Sequence, residues 1–140
     1  MGRSILGVLA GLVVGIVLVA LVETLGMRLI PPPPGMDPTD PASIAAAMRN
    51  MPIGSFLFVL AAWFLGTGVG VSTAMRFARS DARWPGLAVG GVILAATLYN
   101  LWMIPHPVWV AAVGVVGIIV ITVVVARPGG TVAGLGESAQ

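Results

Sequence analysis

Four long apolar stretches, each closed by proline or arginine, constrain this chain more than any other feature of its sequence. The first, Ile5 to Val22, follows Arg3 directly. As a helix it extends roughly 27 Å, close to a bilayer hydrocarbon core of about 30 Å. Continued to Leu29, it predicts a first span over about 4–29. Three more spans are predicted over about 53–75, 85–104 and 108–126, opened by Pro52, Pro85 and Pro107 and closed by Arg76, Pro105 and Arg127. A secretory leader would have a shorter apolar part and a small-x-small cleavage site, whereas this run leads into Glu23-Thr24-Leu25-Gly26, so the first helix is expected to be retained.

With 58% hydrophobic residues, 9% charged residues and a mean hydropathy of +1.05, the chain has too few charges to cover a water-soluble domain. The expected fold class is an all-α integral membrane protein, a bundle of four transmembrane helices whose main solvent is the lipid bilayer. Residues 1–128 form its single membrane domain. The remainder, 129–140, is Gly-rich without apolar periodicity and is expected to be a disordered cytoplasmic tail.

Between the first two spans, Pro31 to Pro34 stop the helix and favour a stiff polyproline II strut. Asp40 is suited to cap a helix and Pro41 to occupy its first position, so a short helix over Pro41 to Asn50 is expected. Its Ile44, Ala47 and Met48 share one face, which predicts an amphipathic segment on the membrane surface or folded over the bundle. The outer loop and this helix cover 31–51. The first and third spans also share early glycines, a late polar residue (Glu23, Asn100) and a terminal Ile-Pro; two related hairpins would produce this, but so would the small vocabulary of lipid-facing helices.

Loop arginines set the expected orientation. Arg3, Arg76, Arg79, Arg83 and Arg127 fall on one side and only Arg28 and Arg49 on the other, which places both termini in the cytoplasm. The short helix and His106 are then extracytoplasmic. A basic set of seven arginines without lysine, amid abundant Gly, Ala and Val, hints at a GC-rich bacterial genome, and a bacterial inner membrane is the expected location. These arginines form no stripe along a phosphate backbone, so nucleic acid is not an expected partner.

The absence of cysteine removes disulfides, thiolate metal sites and cysteine nucleophiles. The single histidine stands in no metal-ligand spacing with the acids, and Ser55, Ser72 and Thr73 form no nucleophile motif with it. No metal, no cofactor and no enzymatic activity are expected. Glycines at i, i+4 and i+8 (Gly7, Gly11, Gly15), with Gly66/Gly70 and Gly86/Gly90, predict close helix packing, within the bundle or against another membrane protein or a second copy in a homo-oligomer.

Glu23 is the residue most in need of explanation. A carboxylate costs about 2.5–3.5 kcal/mol at mid-bilayer and less toward the interface, so it must face water, protein or a counter-charge. Pairing with Arg28 or Arg49 is one expectation. The other is an outward-facing polar site in which Glu23 is joined by Asn100, Tyr99 and His106, with Asp37 and Asp40 on the loop above as a contact surface. Trp84, Trp102 and Trp109 are read as interfacial anchors and Trp63 as bulk within the second span. Two functions follow: an interaction, subunit or membrane-organising protein that uses the outer loop, or a small transporter or channel that uses the polar site.

Overall fold

A computed structural model describes residues 2–78 and 83–127. It contains five helices: α1 (Gly2–Leu29), α2 (Pro41–Arg49), α3 (Ile53–Ala78), α4 (Trp84–Met103) and α5 (Val108–Val125). All but α2 are long and apolar enough to cross a membrane, which suggests a multi-pass membrane protein. Arg79 and the expected disordered tail lie outside the described residues.

The helix limits follow local chemistry. Pro85 enters α4 within its first turn, where its missing N–H costs no hydrogen bond, and Ile104 leaves that helix in an extended conformation before Pro105. The second long helix continues to Ala78, three residues beyond the expected limit at Met75. Nothing after Met75 breaks a helix, and Arg76 lies within its last turn, where a cation complements the exposed carbonyls. Gly66-Thr67-Gly68 does not interrupt α3 either. Thr67 Oγ1 instead donates back to the Trp63 carbonyl at 2.6 Å, as buried helical threonines do where no other acceptor is near.

α3 is the centre of the bundle. It packs along α1, α4 and α5, whereas α1 meets only α3 and, less extensively, α4. The core runs down α3 through Phe56, Leu60, Trp63 and Val71 and outward to Val89, Ile93, Val110 and Ile118. Close approach rather than bulk makes the α1–α3 seam. A Cβ on Gly11 would stand 2.5 Å from the Gly70 carbonyl oxygen, and one on Gly15 would stand 2.9 Å from that of Gly66. The two glycine series therefore face each other, backbone against backbone, so that dispersion contacts are gained along both helices. On the other flank Gly86 abuts Ala126, and Gly90 abuts Thr122. The outward faces are apolar: Ile5, Leu9, Val13, Ile16, Val116 and Val120 are all exposed, as suits helices solvated by lipid.

At the end of the bundle opposite Gly2 and Val125, the chain leaves α1 through the prolines and turns at Gly35, whose φ of +87° is a conformation that side-chain-bearing residues avoid. Asp40 caps α2, accepting from the amides of Ala42 at 3.1 Å and Ser43 at 3.0 Å. The strut lies along α2, with Pro33 and Pro34 beside Ala46 and Ala47. The backbone of α2 keeps clear of the long helices. Only side chains from its inner face, Ile44 and Met48 among them, reach down toward the bundle, so α2 forms a roof.

Asp37 organises the turn ahead of α2. Its carboxylate accepts from the Thr39 amide at 2.8 Å and the Thr39 hydroxyl at 2.7 Å, and its own amide donates to Ser43 Oγ at 2.8 Å. The bonds from Thr39 hold this carboxyl below the usual aspartate range. A depressed native value means that the turn's contribution is complete above the ordinary aspartate value of about 3.9 and is lost as the pH falls through the lower native one. The Thr39 amide resonance is therefore expected to titrate only below that range. Asp37→Asn should abolish the titration; a midpoint at the ordinary aspartate value would show that the turn is not held.

Candidate functional site

Beneath α2 lies a recess of about 360 Å³ whose lining includes Glu23 from α1, Ser55 from α3, Asn100 from α4 and His106 from the α4–α5 turn. The rest of its wall is apolar and includes Met27, Met36, Met48, Met51, Phe58 and Ile104. A second recess, of about 220 Å³, lies between α1 and α4 and is lined by Ile16, Val19, Val92, Ile93, Ala96 and Thr97, with Trp63 of α3 behind them. Glu23 and Asn100 belong to both. They stand at the junction of a lateral cleft and a roofed chamber.

Each polar group is positioned by its own element. Glu23 lies one turn before Gly26, and Gly26 packs so closely on Phe58 that a Cβ there would come within 2.7 Å of the Phe58 Cβ. That contact fixes the rotation of the end of α1 and turns Glu23 inward. Its carboxylate meets the side chain of Trp63 as a hydrogen-bonding partner. Neither Arg28 nor Arg49 lines either recess, so the expected arginine neighbour is missing from the walls around Glu23. Asn100, in the last turn of α4, is half-buried and faces the same space.

His106 is held rather than solvated. Its backbone amide donates to the Ile104 carbonyl at 2.9 Å, and its Nδ1 lies 2.9 Å from the same oxygen. In the neutral imidazole that contact requires the proton on Nδ1, which leaves Nε2 as an acceptor. The ring packs against Phe56 (centroids 6.3 Å apart, 63° between planes) and Trp63 (5.9 Å, 52°). Trp63, only 4% exposed, thus links the histidine to the carboxylate.

Two further side chains join those expected from the sequence. Ser55 Oγ is buried and without a hydrogen-bond partner in the described structure, and its residue lines the chamber. An unsatisfied buried hydroxyl is costly enough to call for an explanation. Thr97 lies one turn below Asn100 in the lateral cleft. The sequence signal for Trp63 is its i, i+4, i+7 register with Phe56 and Leu60 on the buried stripe of α3.

Other expected members lie elsewhere. Tyr99 is 62% exposed and stacks at a tilt on Trp102 on the outer surface of α4, so it contributes nothing to the recess. Asp37 and Asp40 are on the exposed side of the roof, engaged in the turn and the cap. Among the described residues, no three of His, Asp and Glu gather closely enough to hold a metal ion.

The arrangement joins an acidic end, hydrogen-bonding groups of both polarities and a long, adaptable apolar wall rich in methionine, the kind of surface that accommodates varied apolar shapes. Its size lies within the range of small-molecule sites, about 300–1,000 Å³. Comparison of the chain with protein families, with curated proteins and with solved structures finds no match.

Proposed function

We propose that this chain is an integral protein of a bacterial inner membrane, with both termini in the cytoplasm, and that it binds a small amphipathic molecule beneath α2 as a carrier or as the binding subunit of a transport pathway. The observation that supports this reading most is the convergence of Glu23, Asn100 and His106, from three separate elements, on one recess that no arginine among the described residues lines. A bundle built only to hold another protein has no need to direct its one intramembrane carboxylate into a chamber. The uneven distribution of arginines supports the orientation, and the apolar periphery supports the lipid environment.

Since the chain contains no cysteine, a single introduced thiol reports on one place only. In reconstituted vesicles, Met48→Cys, at a half-buried position on the chamber wall, is expected to react readily with a small water-soluble methanethiosulfonate, and Tyr99→Cys, on the lipid-facing surface, to react far more slowly. Equal, slow rates at both positions would mean that the chamber is sealed packing, and the binding reading would fall.

A contact function for the roof is the second reading. It is favoured by the exposed outer side of α2 and its capping turn, which leaves Asp37 and Asp40 at the surface. A sealed Met48→Cys together with loss of a co-purifying partner on Asp37→Ala would establish it instead.

A further inference from the structure

Glu23 is the only acidic residue in the four long helices, and among the described residues no arginine lines the walls around it. Its neighbours are the Trp63 indole, the Asn100 amide and, across Trp63, the His106 ring. A carboxylate with no cationic side chain of the protein's own beside it is a place for a cation, and the attraction is screened less at this depth than in water.

The rest of the site describes the remainder of the ligand. Methionines 27, 36, 48 and 51 wall the chamber with flexible, polarizable thioethers, which select for apolar bulk without fixing its shape. The lateral cleft that opens onto Glu23 is bordered by Ile16 and by Val92 and Ala96, all exposed on the apolar periphery. α1 and α4 make the weakest of the helix contacts there. A molecule dissolved in the bilayer therefore meets a gap between two loosely joined helices, with a carboxylate at its inner end.

We propose that the ligand is a lipophilic monocation that enters from the bilayer between α1 and α4 and settles with its charge at Glu23 and its apolar body under α2. This rests on the reading of the chamber as a binding site and specifies what the site takes and from which side. A hydrophilic cation lacks the body that the methionine wall requires, and an amphiphilic anion meets Glu23 with the wrong sign.

Tetraphenylphosphonium and tetraphenylborate, of nearly the same size and shape and of opposite charge, test the proposal on the full chain in lipid nanodiscs, with binding to empty nanodiscs subtracted. Saturable binding of the phosphonium is expected, with no saturable binding of the borate. Glu23→Gln, which keeps the side chain's shape, should weaken the phosphonium by about thirtyfold or more, as expected when one member of a desolvated charge pair is neutralised. Tyr99→Phe, remote from the recess, should leave it unchanged. Filling the cleft with Ala96→Trp should slow association several-fold; an unchanged association rate would overturn the lateral route.

Borate binding equal to phosphonium binding, or phosphonium binding unaffected by Glu23→Gln, would overturn the cationic assignment. If Met48→Cys is accessible and the phosphonium still does not bind, the proposed ligand class fails while the binding site stands. If Met48→Cys is sealed as well, both fail.

Discussion

Gly11→Leu is expected to detach α1 from the bundle. A Cβ at this position would lie 2.5 Å from the Gly70 carbonyl oxygen and 2.9 Å from the Ala74 Cβ. The nearest obstacle is backbone, which cannot rotate out of the way as the end of a flexible side chain can. Overpacking of a core costs about 1–3 kcal/mol where neighbours yield, and this site belongs at or above the upper end of that range. Because α1 packs chiefly on α3, little else holds it once the seam opens. Denaturation by increasing dodecyl sulfate in mixed micelles, followed by tryptophan fluorescence, should show a large drop in midpoint. Gly91→Leu is the matched control, with nothing within 4 Å of its Cβ, and should be neutral or slightly stabilising through helix propensity. Equal behaviour of the two variants would mean that α1 and α3 do not meet at these glycines.

Trp63→Ala should produce the second largest effect, on stability and on the site together. The indole fills the space against Gly114, where an added Cβ would come within 2.6 Å of its ring, and it supports His106 from below. Removing a buried tryptophan costs about 3–5 kcal/mol in water-soluble cores. In lipid the lower end applies, because an apolar group released into hydrocarbon loses packing but not its transfer energy. Two variants separate packing from polarity. Trp63→Phe keeps a ring and loses the N–H, so it should retain most of the stability while freeing the Glu23 carboxylate. Trp63→Ala should in addition release the His106 ring, visible as altered nitrogen shifts in its imidazole. Unchanged histidine resonances in Trp63→Ala would show that the aromatic contact does not hold the ring.

The helices themselves were legible because their limits are set by short-range chemistry: proline lacks a donor, and an apolar run must continue until something breaks it. Where no breaker exists, as after Met75, the reading stopped α3 too early. The glycine ladders were legible as packing devices, since their spacing fixes a face, but spacing carries no information about the partner. That Gly11 meets Gly70 and that α3 is the hub depend on how four similar apolar helices arrange themselves, and helices apolar on every side give almost no directional signal.

The site was partly legible for the same reason. Glu23 and Asn100 are conspicuous because polar groups at those depths need an explanation, and the topology predicted a common face for them. Tyr99 did not belong beside Asn100, because consecutive residues on a helix point about 100° apart and only one of them can face a given recess. His106 could be assigned a constrained backbone from its two prolines, but no rule about proline determines where the ring turns. Trp63 was read as bulk because a lone tryptophan in an apolar helix looks the same whether it fills a core or supports a site.

The central position of α3 also bears on how the protein is made. α1 leaves the ribosome before α3, yet the surface that its three ladder glycines require belongs to α3, which follows only after the proline strut and α2 have been synthesised. At translation speeds of about 5–20 residues per second, α1 waits seconds without its main partner. Throughout that interval Glu23 has no Trp63 beside it. During synthesis α1 is thus, for a time, an acidic span without the helix it packs on.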